Sequence, residues 1–127
     1  MNSADSEFLE AGNYISFATR KRSGEWVATP VWFAPDRGSY YVFSAGDAGK
    51  VKRLRNFSAA RIAPCTFSGT LTGDVMDVHA YLLETPADEA TALAALRRKY
   101  GWQMYTADLF SSLTGKMKKR AYIRIDP

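Results

Sequence analysis

The sequence predicts an α+β domain, mainly β, in which an antiparallel sheet of six strands curls toward a barrel. Short runs of aromatic and β-branched residues recur between turn signals rich in glycine, proline and aspartate, a pattern typical of strands joined by tight turns. Clear helix start and stop signals interrupt this pattern near the C-terminus. Because 127 residues suffice for one core only, we expect a single domain spanning residues 1–127.

The N-terminal half is predicted to hold a short leading helix and three strands. The helix is predicted to include Phe8 and Leu9 and to end at Gly12. The strands are predicted at Tyr14–Lys21, Glu25–Ala34 and Tyr40–Ala45. Turns at residues 22–24 and 35–38 separate them, so two hairpins in succession predict a meander. A basic helix, Gly49–Asn56, follows the third strand.

The C-terminal half predicts three further strands and two helices. Its strands are expected at Ala59–Phe67, Val75–Glu84 and Ala121–Ile125. Thr85 as the N-cap and Pro86 at the first helical position predict the start of a helix that ends at Gly101. A second, short helix near Thr106–Leu113 precedes the last strand.

Composition excludes several classes of protein and site. No apolar run has the length of a membrane span, and the acidic N-terminus lacks the basic and apolar segments of a signal peptide, so a cytoplasmic location is expected. Cys65 is the only cysteine and His79 the only histidine. An internal disulfide is therefore impossible, and neither a zinc site nor histidine-assisted nucleophilic catalysis is expected. No metal site is predicted.

The segment YYVFSAGDAGKVKRLRN at residues 40–56 carries the main functional signal. Cations such as Lys50 and Lys52 stand at the start of the basic helix, where the partial positive charge of the helix makes them unfavourable unless an anion is present. Glycines at Gly46 and Gly49 let the backbone approach a ligand closely. This combination predicts a phosphate-binding site.

A second signal lies in the second strand. Pro30 removes a ladder hydrogen bond there, so it marks a sheet edge, a bulge or an opening of the ladder. Backbone freed in this way, at Thr29–Val31, could hold a planar heterocycle by its polar edges. The candidate apolar or stacking walls are Trp32, Tyr40, Tyr41 and Trp102.

These motifs carry a resemblance to a known family. The chain has ATPVWF at Ala28–Phe33, GKVKRLRN at Gly49–Asn56 and KYGWQ at Lys99–Gln103. It resembles the pyridoxamine 5′-phosphate oxidase-like split β-barrels, and more narrowly a small subgroup of candidate F420-dependent oxidoreductases. The resemblance extends from about Tyr14 to Ile125 and implies a six-stranded split β-barrel, with a basic helix after the third strand and a helical segment before the last.

The resemblance implies a homodimer with two equivalent sites at the subunit interface, each binding FMN or coenzyme F420. The residues that it assigns to the cofactor's ring system are Ala28, Thr29, Pro30, Val31 and Trp32. Those that it assigns to the phosphate region are Ser44, Lys50, Val51, Lys52 and Arg53. Trp102 falls in a helical segment that could reach the site of the other subunit.

The implied activity is that of an oxidoreductase that transfers hydride to or from a small conjugated substrate. Because the cofactor's ring performs hydride transfer, the sequence need not contain a catalytic acid, base or nucleophile, and no catalytic residue is predicted. Two alternatives remain. The protein could be a flavin-binding or carrier module without turnover, or a barrel that binds nucleic acid through its basic helix and exposed aromatic residues. If the protein is such an oxidoreductase, neither nucleic acid nor a membrane is expected as a partner.

Overall fold

A computed structural model describes residues 3–104, 106 and 120–127 of the protein. These residues form one antiparallel sheet of seven strands in the order β2-β1-β5-β6-β7-β4-β3. The strands are β1 (Ile15–Arg20), β2 (Trp26–Val31), β3 (Ala34–Asp36), β4 (Ser39–Ala45), β5 (Ala59–Pro64), β6 (Met76–Leu82) and β7 (Arg120–Asp126). The helices are α1 (Ser3–Ala11), α2 (Gly49–Leu54) and α3 (Pro86–Tyr100). The prediction of an antiparallel, curled sheet with few helices is confirmed.

The predicted number of six strands is wrong, because a turn is tighter than the sequence suggested. Residues 35–38 were expected to form the turn, but only Arg37 and Gly38 do so, both with positive φ angles of 51° and 86°. Such a two-residue turn matches the twist of the strands on either side. Asp36 therefore pairs with Ser39, and a short additional strand, β3, results.

The predicted meander is also wrong. β2 ends at Val31 and pairs only with β1, whereas β4 pairs with β3 and β7. β2 and β3 thus form the two edges of the sheet, although only residues 32 and 33 separate them in the chain. Because so few residues span roughly 10 Å at most, the two edges must lie close together and the sheet must curl into a barrel.

Two apolar clusters lie on opposite faces of this sheet. The barrel interior holds large buried side chains that include Phe17, Phe33 and Ile62. The second cluster lies where α3 packs on the outer face of β3, β4 and β7, and it includes Leu96 and Tyr100. Packing in this outer cluster holds α3 beside residues 32 and 33, where the chain passes from β2 to β3.

The predicted capping of α3 is confirmed. Thr85 Oγ1 accepts a hydrogen bond from the Asp88 backbone N–H at 3.2 Å, and Pro86 is the first helical residue. Gly101 ends the helix with a φ of 57°. Apart from Thr106, the predicted short helix at 106–113 lies outside the described residues. None of the helices in the described ranges has both the length and the apolar character needed to cross a bilayer.

Candidate functional site

An open pocket of about 430 Å³ lies where the ends of β2 and β4 meet the start of α2. Its lining residues are Tyr14, Pro30, Val31, Trp32, Phe43, Ser44, Ala45 and Lys50. The pocket thus brings together residues predicted for a cofactor's ring, on β2, and residues predicted for its phosphate, on β4 and α2. About a dozen residues or more separate these segments in the sequence, and the curl of the sheet brings them together.

Aromatic rings hold one wall of the pocket in place. The Trp32 ring stacks on the Tyr100 ring at a centroid distance of 4.6 Å, and it meets the Phe43 ring edge-on at 6.3 Å. The Tyr100 hydroxyl accepts a hydrogen bond from the Phe33 N–H at 2.9 Å and lies 2.7 Å from the Asn13 carbonyl oxygen, to which it can donate. Since Tyr100 belongs to α3, this helix fixes the orientation of Trp32.

Pro30 lies on an edge strand, one of the three placements that the sequence left open. β2 pairs with β1 on one side, where Pro30 is opposite Ser16, and has no partner among the described strands on the other. The missing N–H of Pro30 therefore breaks no ladder between described strands on that side. Its ring is exposed and forms part of the pocket lining.

Lys50 supplies the positive charge of the pocket. Burial lowers the pKa of its ammonium group, and the nearby charge of Arg53 lowers this pKa further. The first turn of α2 contains no acidic residue, and its N-cap residue, Ala48, makes no side-chain capping bond. An anion in the pocket would stabilise the charged form of Lys50.

The other cations predicted for the phosphate lie elsewhere. Arg53 Nε donates to Thr19 Oγ1 on β1 at 2.6 Å, and its guanidinium packs closely against Gly49. Lys52 is exposed on another side of α2. Val51, also predicted for this region, is buried with 2% of its surface exposed. Of these predicted residues, the pocket itself contains Ser44 and Lys50.

The remaining predicted residues also lie outside the pocket lining. Ala28 is exposed on β2, and Trp102 is 75% exposed beyond the end of α3. Thr29 is opposite Phe17 and shares the inner face of the sheet with Thr19, the residue that binds Arg53. Its Oγ1 is buried without a hydrogen-bond partner among the described residues.

Sequence reasoning missed Tyr14, Phe43 and Ala45. Of the four candidate walls, Trp32 lines the pocket, whereas Tyr40, Tyr41 and Trp102 do not. Tyr40, a predicted wall, points into the barrel core, and its hydroxyl donates to Glu10 Oε2 at 3.3 Å. Burial together with the charge of Glu10 raises the pKa of Tyr40 to about 12. Tyr41 packs into the cluster under α3. Strand alternation predicts that residues 41, 43 and 45 share a face, but not that this face reaches the pocket.

Within the described part of the chain, no group of three or more histidine, cysteine, aspartate or glutamate side chains comes together as a metal site. Among the residues that the structure describes, those lining the pocket include no carboxylate, histidine or thiol. The pocket is therefore suited to binding and orienting a planar anion, and its own side chains offer little acid–base chemistry.

Comparison with known proteins gives structural matches only. No protein-family model and no curated protein matches the chain. HutZ, a heme storage protein from Vibrio cholerae, matches with a TM-score of 0.72 at 16% identity, over 96% of this chain and 86% of its own. A candidate 5-nitroimidazole antibiotic resistance protein from Bacteroides thetaiotaomicron has the same TM-score at 13% identity, over 98% and 78% of the two chains.

A candidate pyridoxamine 5′-phosphate oxidase from Corynebacterium glutamicum is a further match. Its TM-score is 0.63 at 18% identity, and the alignment covers 100% of this chain and 89% of the other. At sequence identities of 13–18%, these matches establish a shared fold and do not establish a shared function. The split-barrel fold predicted from the sequence is confirmed.

Proposed function

Because the chain has the fold of the pyridoxamine 5′-phosphate oxidase-like split barrels, we propose that it is an oxidoreductase that binds FMN or coenzyme F420. The observation that carries this proposal is the pocket itself. It joins Pro30, Val31 and Trp32, predicted for the ring, to Ser44 and Lys50, predicted for the phosphate. Residues assigned to the two ends of one cofactor thus line one pocket.

The chemistry of the lining fits a phosphorylated planar cofactor. Trp32, Val31 and Phe43 offer apolar surface to a ring system. A phosphate beside the partly buried ammonium of Lys50 would stabilise the charged form that burial and Arg53 disfavour.

When bound, a flavin or deazaflavin supplies the hydride chemistry. The proposed roles of the protein's own residues are to bind and orient. Lys50 and Ser44 hold the phosphate end, Pro30 and Val31 align the ring, and Trp32 and Phe43 keep water from one side of it. The substrate is proposed to be a small conjugated molecule.

We also propose that the protein works as a homodimer. On the outer face of β2, Ala28 and Pro30 are exposed, and neither has a long side chain that would prevent close approach of a second copy. The nearby loop between β5 and β6 exposes large apolar side chains, with Phe67 75% exposed and Val75 53% exposed. A second copy on this face would also lie next to Pro30 and narrow the open pocket.

The absorbance spectrum of the purified protein, before and after FMN or F420 is added, tests the proposed cofactor. Flavins and deazaflavins have different visible bands, so the spectrum also distinguishes them. We expect one of the two to bind with a shifted band. If neither binds, the proposed function is wrong.

A carrier module without turnover is the second candidate function. It is favoured by one observation, that a protein with this fold is a heme storage protein. Reducing the bound cofactor and following its reoxidation by a panel of conjugated substrates separates the two. Reoxidation faster than in buffer alone supports the oxidoreductase, and no acceleration supports the carrier.

Nucleic-acid binding is less well supported. Within α2, Lys50 lines the pocket and Arg53 binds Thr19 on β1, so these cations are not presented to solvent as a stripe. Steeply salt-dependent binding of oligonucleotides would favour this alternative.

A further inference from the structure

Tyr14 lines the pocket and has no part in the proposed binding of the cofactor. It stands directly before β1 and is half-buried. Its backbone carbonyl accepts a hydrogen bond from the Cys65 N–H at 3.4 Å, which ties this part of the chain to the region after β5. Its phenol hydroxyl makes no hydrogen bond to another residue in the described part of the chain. The hydroxyl is therefore available to a ligand in the pocket.

The register of β1 and β2 places the Tyr14 side chain beside the aromatic wall. Ser16 of β1 pairs with Pro30 of β2. This register, continued by two residues, sets Tyr14 opposite Trp32, and both residues line the pocket. Residues opposite each other in antiparallel strands point to the same face of a sheet. The Tyr14 phenol therefore belongs to the ring end of the pocket, whereas Lys50 comes to the other end from α2.

A second tyrosine nearby has its hydroxyl occupied. The Tyr100 ring stacks on the Trp32 ring, and the Tyr100 hydroxyl bonds to backbone groups of Asn13 and Phe33. Burial raises the pKa of Tyr100, and the charge of an ionised Tyr14 acts in the same direction, so the two phenol groups lie near each other. Of these two hydroxyls, that of Tyr14 is the one able to donate to a ligand.

We propose that Tyr14 is a substrate-binding residue whose hydroxyl donates a hydrogen bond to a carbonyl oxygen, which makes the site selective for conjugated carbonyl compounds. The proposal rests on the proposed function and names the class of its substrate. The described lining offers side-chain donors on Tyr14, Ser44 and Lys50 and no carboxylate, so it favours a substrate with acceptor groups. The Trp32 and Phe43 rings, with centroids 6.3 Å apart, give the conjugated part of such a molecule apolar surface.

The experiment compares acetophenone with α-methylstyrene, in which a methylene group replaces the carbonyl oxygen on the same conjugated frame. NMR titration measures the dissociation constants of both probes on the wild-type protein, with and without FMN or F420. The test variant is Tyr14→Phe, which removes only the hydroxyl. Tyr81→Phe is the matched control, because Tyr81 is 41% exposed on β6 and lies outside the pocket lining.

Tyr14→Phe should reduce the preference for acetophenone over α-methylstyrene by about two- to tenfold, the range expected for one hydrogen bond between neutral groups. Tyr81→Phe should leave this preference unchanged. The infrared stretching frequency of the bound acetophenone carbonyl is a second readout, because a donated hydrogen bond lowers it. It should be lower in the wild-type protein than in Tyr14→Phe. An unchanged preference, an unchanged frequency, or a wild-type protein that does not bind acetophenone would overturn the proposal.

The experiment also separates this inference from the proposed function. If FMN or F420 binds but Tyr14→Phe does not alter the binding of acetophenone, only the assignment of Tyr14 fails. If a Tyr14-dependent preference for acetophenone is found in a protein that binds neither cofactor, the carbonyl-binding role of Tyr14 stands and the proposed cofactor function fails.

Discussion

Lys50 and Lys52 differ in position although they are two residues apart on one short helix. Each residue turns an α-helix by about 100°, so neighbours two apart point in nearly opposite directions. Lys50 lines the pocket, whereas Lys52 is exposed to solvent. This difference makes the two lysines a matched pair for testing where the phosphate binds.

Replacing Lys50 with alanine should weaken binding of the cofactor by about 10- to 100-fold, because a charge-assisted hydrogen bond is lost. Replacing Lys52 with alanine should change the affinity less than about threefold. Fluorescence titration of FMN or F420 measures both affinities. Equal losses in the two variants would show that the cations act only through their summed charge.

Lys99 is expected to destabilise the folded protein by an amount that depends on pH. Its Nζ lies 3.4 Å from the centroid of the Phe33 ring and is buried without a hydrogen-bond partner in the structure. Burial lowers the pKa of Lys99 to about 8, although the charge of Glu10 acts in the opposite direction. The folded protein thus holds this proton less tightly than the unfolded chain, so the charge destabilises the fold below pH 8.

Lys99→Met should therefore raise the free energy of unfolding at pH 7 by about 1 kcal/mol, a value reduced for partial exposure and for the favourable Phe33 ring. The advantage should shrink as the pH rises from about 8 to about 10.4, where the lysine of the unfolded chain also loses its proton. Urea unfolding at several pH values measures it. Lys52→Met, at an exposed position, is the control and should change stability by less than about 0.5 kcal/mol. If Lys99→Met stabilised the protein equally at every pH from 7 to about 10.4, the lowered pKa assigned to Lys99 would be contradicted.

Sequence reasoning at the residue scale succeeded where a residue type has few physical meanings. Pro30 on an edge strand and Thr85 as an N-cap are of this kind. The charge of Arg53 predicted a phosphate contact, and its Nε donates to Thr19, a residue far away in the sequence; the phosphate contact of Arg53 stays a prediction. Phe43 was missed because alternation predicts a shared face without identifying what that face meets.

At the scale of elements, α3 holds the aromatic wall through one hydroxyl group. The Tyr100 hydroxyl satisfies the Phe33 N–H where the chain leaves β2 and enters β3. Tyr100→Phe should lower the free energy of unfolding by about 1–3 kcal/mol, because a buried N–H is left without a partner. Urea unfolding measures the loss. Tyr81→Phe, at a 41% exposed position, is the control and should be nearly neutral; a similar loss in both would contradict this role.

The prediction of elements from the sequence was accurate for α3, whose start and stop signals are local. It was wrong for the meander, because alternation indicates that Tyr40–Ala45 is a strand but does not identify its partners. β4 pairs with β7, whose residues lie about 80 positions further along the chain. At the break after Val31 that separates β2 from β3, the Tyr100 hydroxyl of α3 accepts a bond from the Phe33 N–H, and no local signal in the sequence reports this contact.

At the scale of the molecule, the proposed dimer depends on the apolar surface beside β2. Phe67→Arg should weaken association, because a charge replaces a side chain that is 75% exposed in the monomer and buried in the proposed interface. Sedimentation equilibrium should give twice the chain mass of 14.1 kDa for the wild-type protein and a shift toward the monomer for this variant. Ala94→Arg, at an exposed position on α3, is the control. A monomeric wild-type protein would refute the dimer, and an unaffected Phe67→Arg dimer would place its interface elsewhere.

The central claim is that the pocket at the ends of β2 and β4 binds a planar cofactor by its phosphate. The most direct measurement compares each phosphorylated cofactor with its phosphate-free form, FMN with riboflavin and F420 with its deazaflavin chromophore, on the wild-type protein and on Lys50→Ala. We predict that one phosphorylated form binds at least about tenfold more tightly than its partner, and that Lys50→Ala removes most of this difference. Equal binding of both forms, or a preference that is unchanged in Lys50→Ala, would contradict the claim.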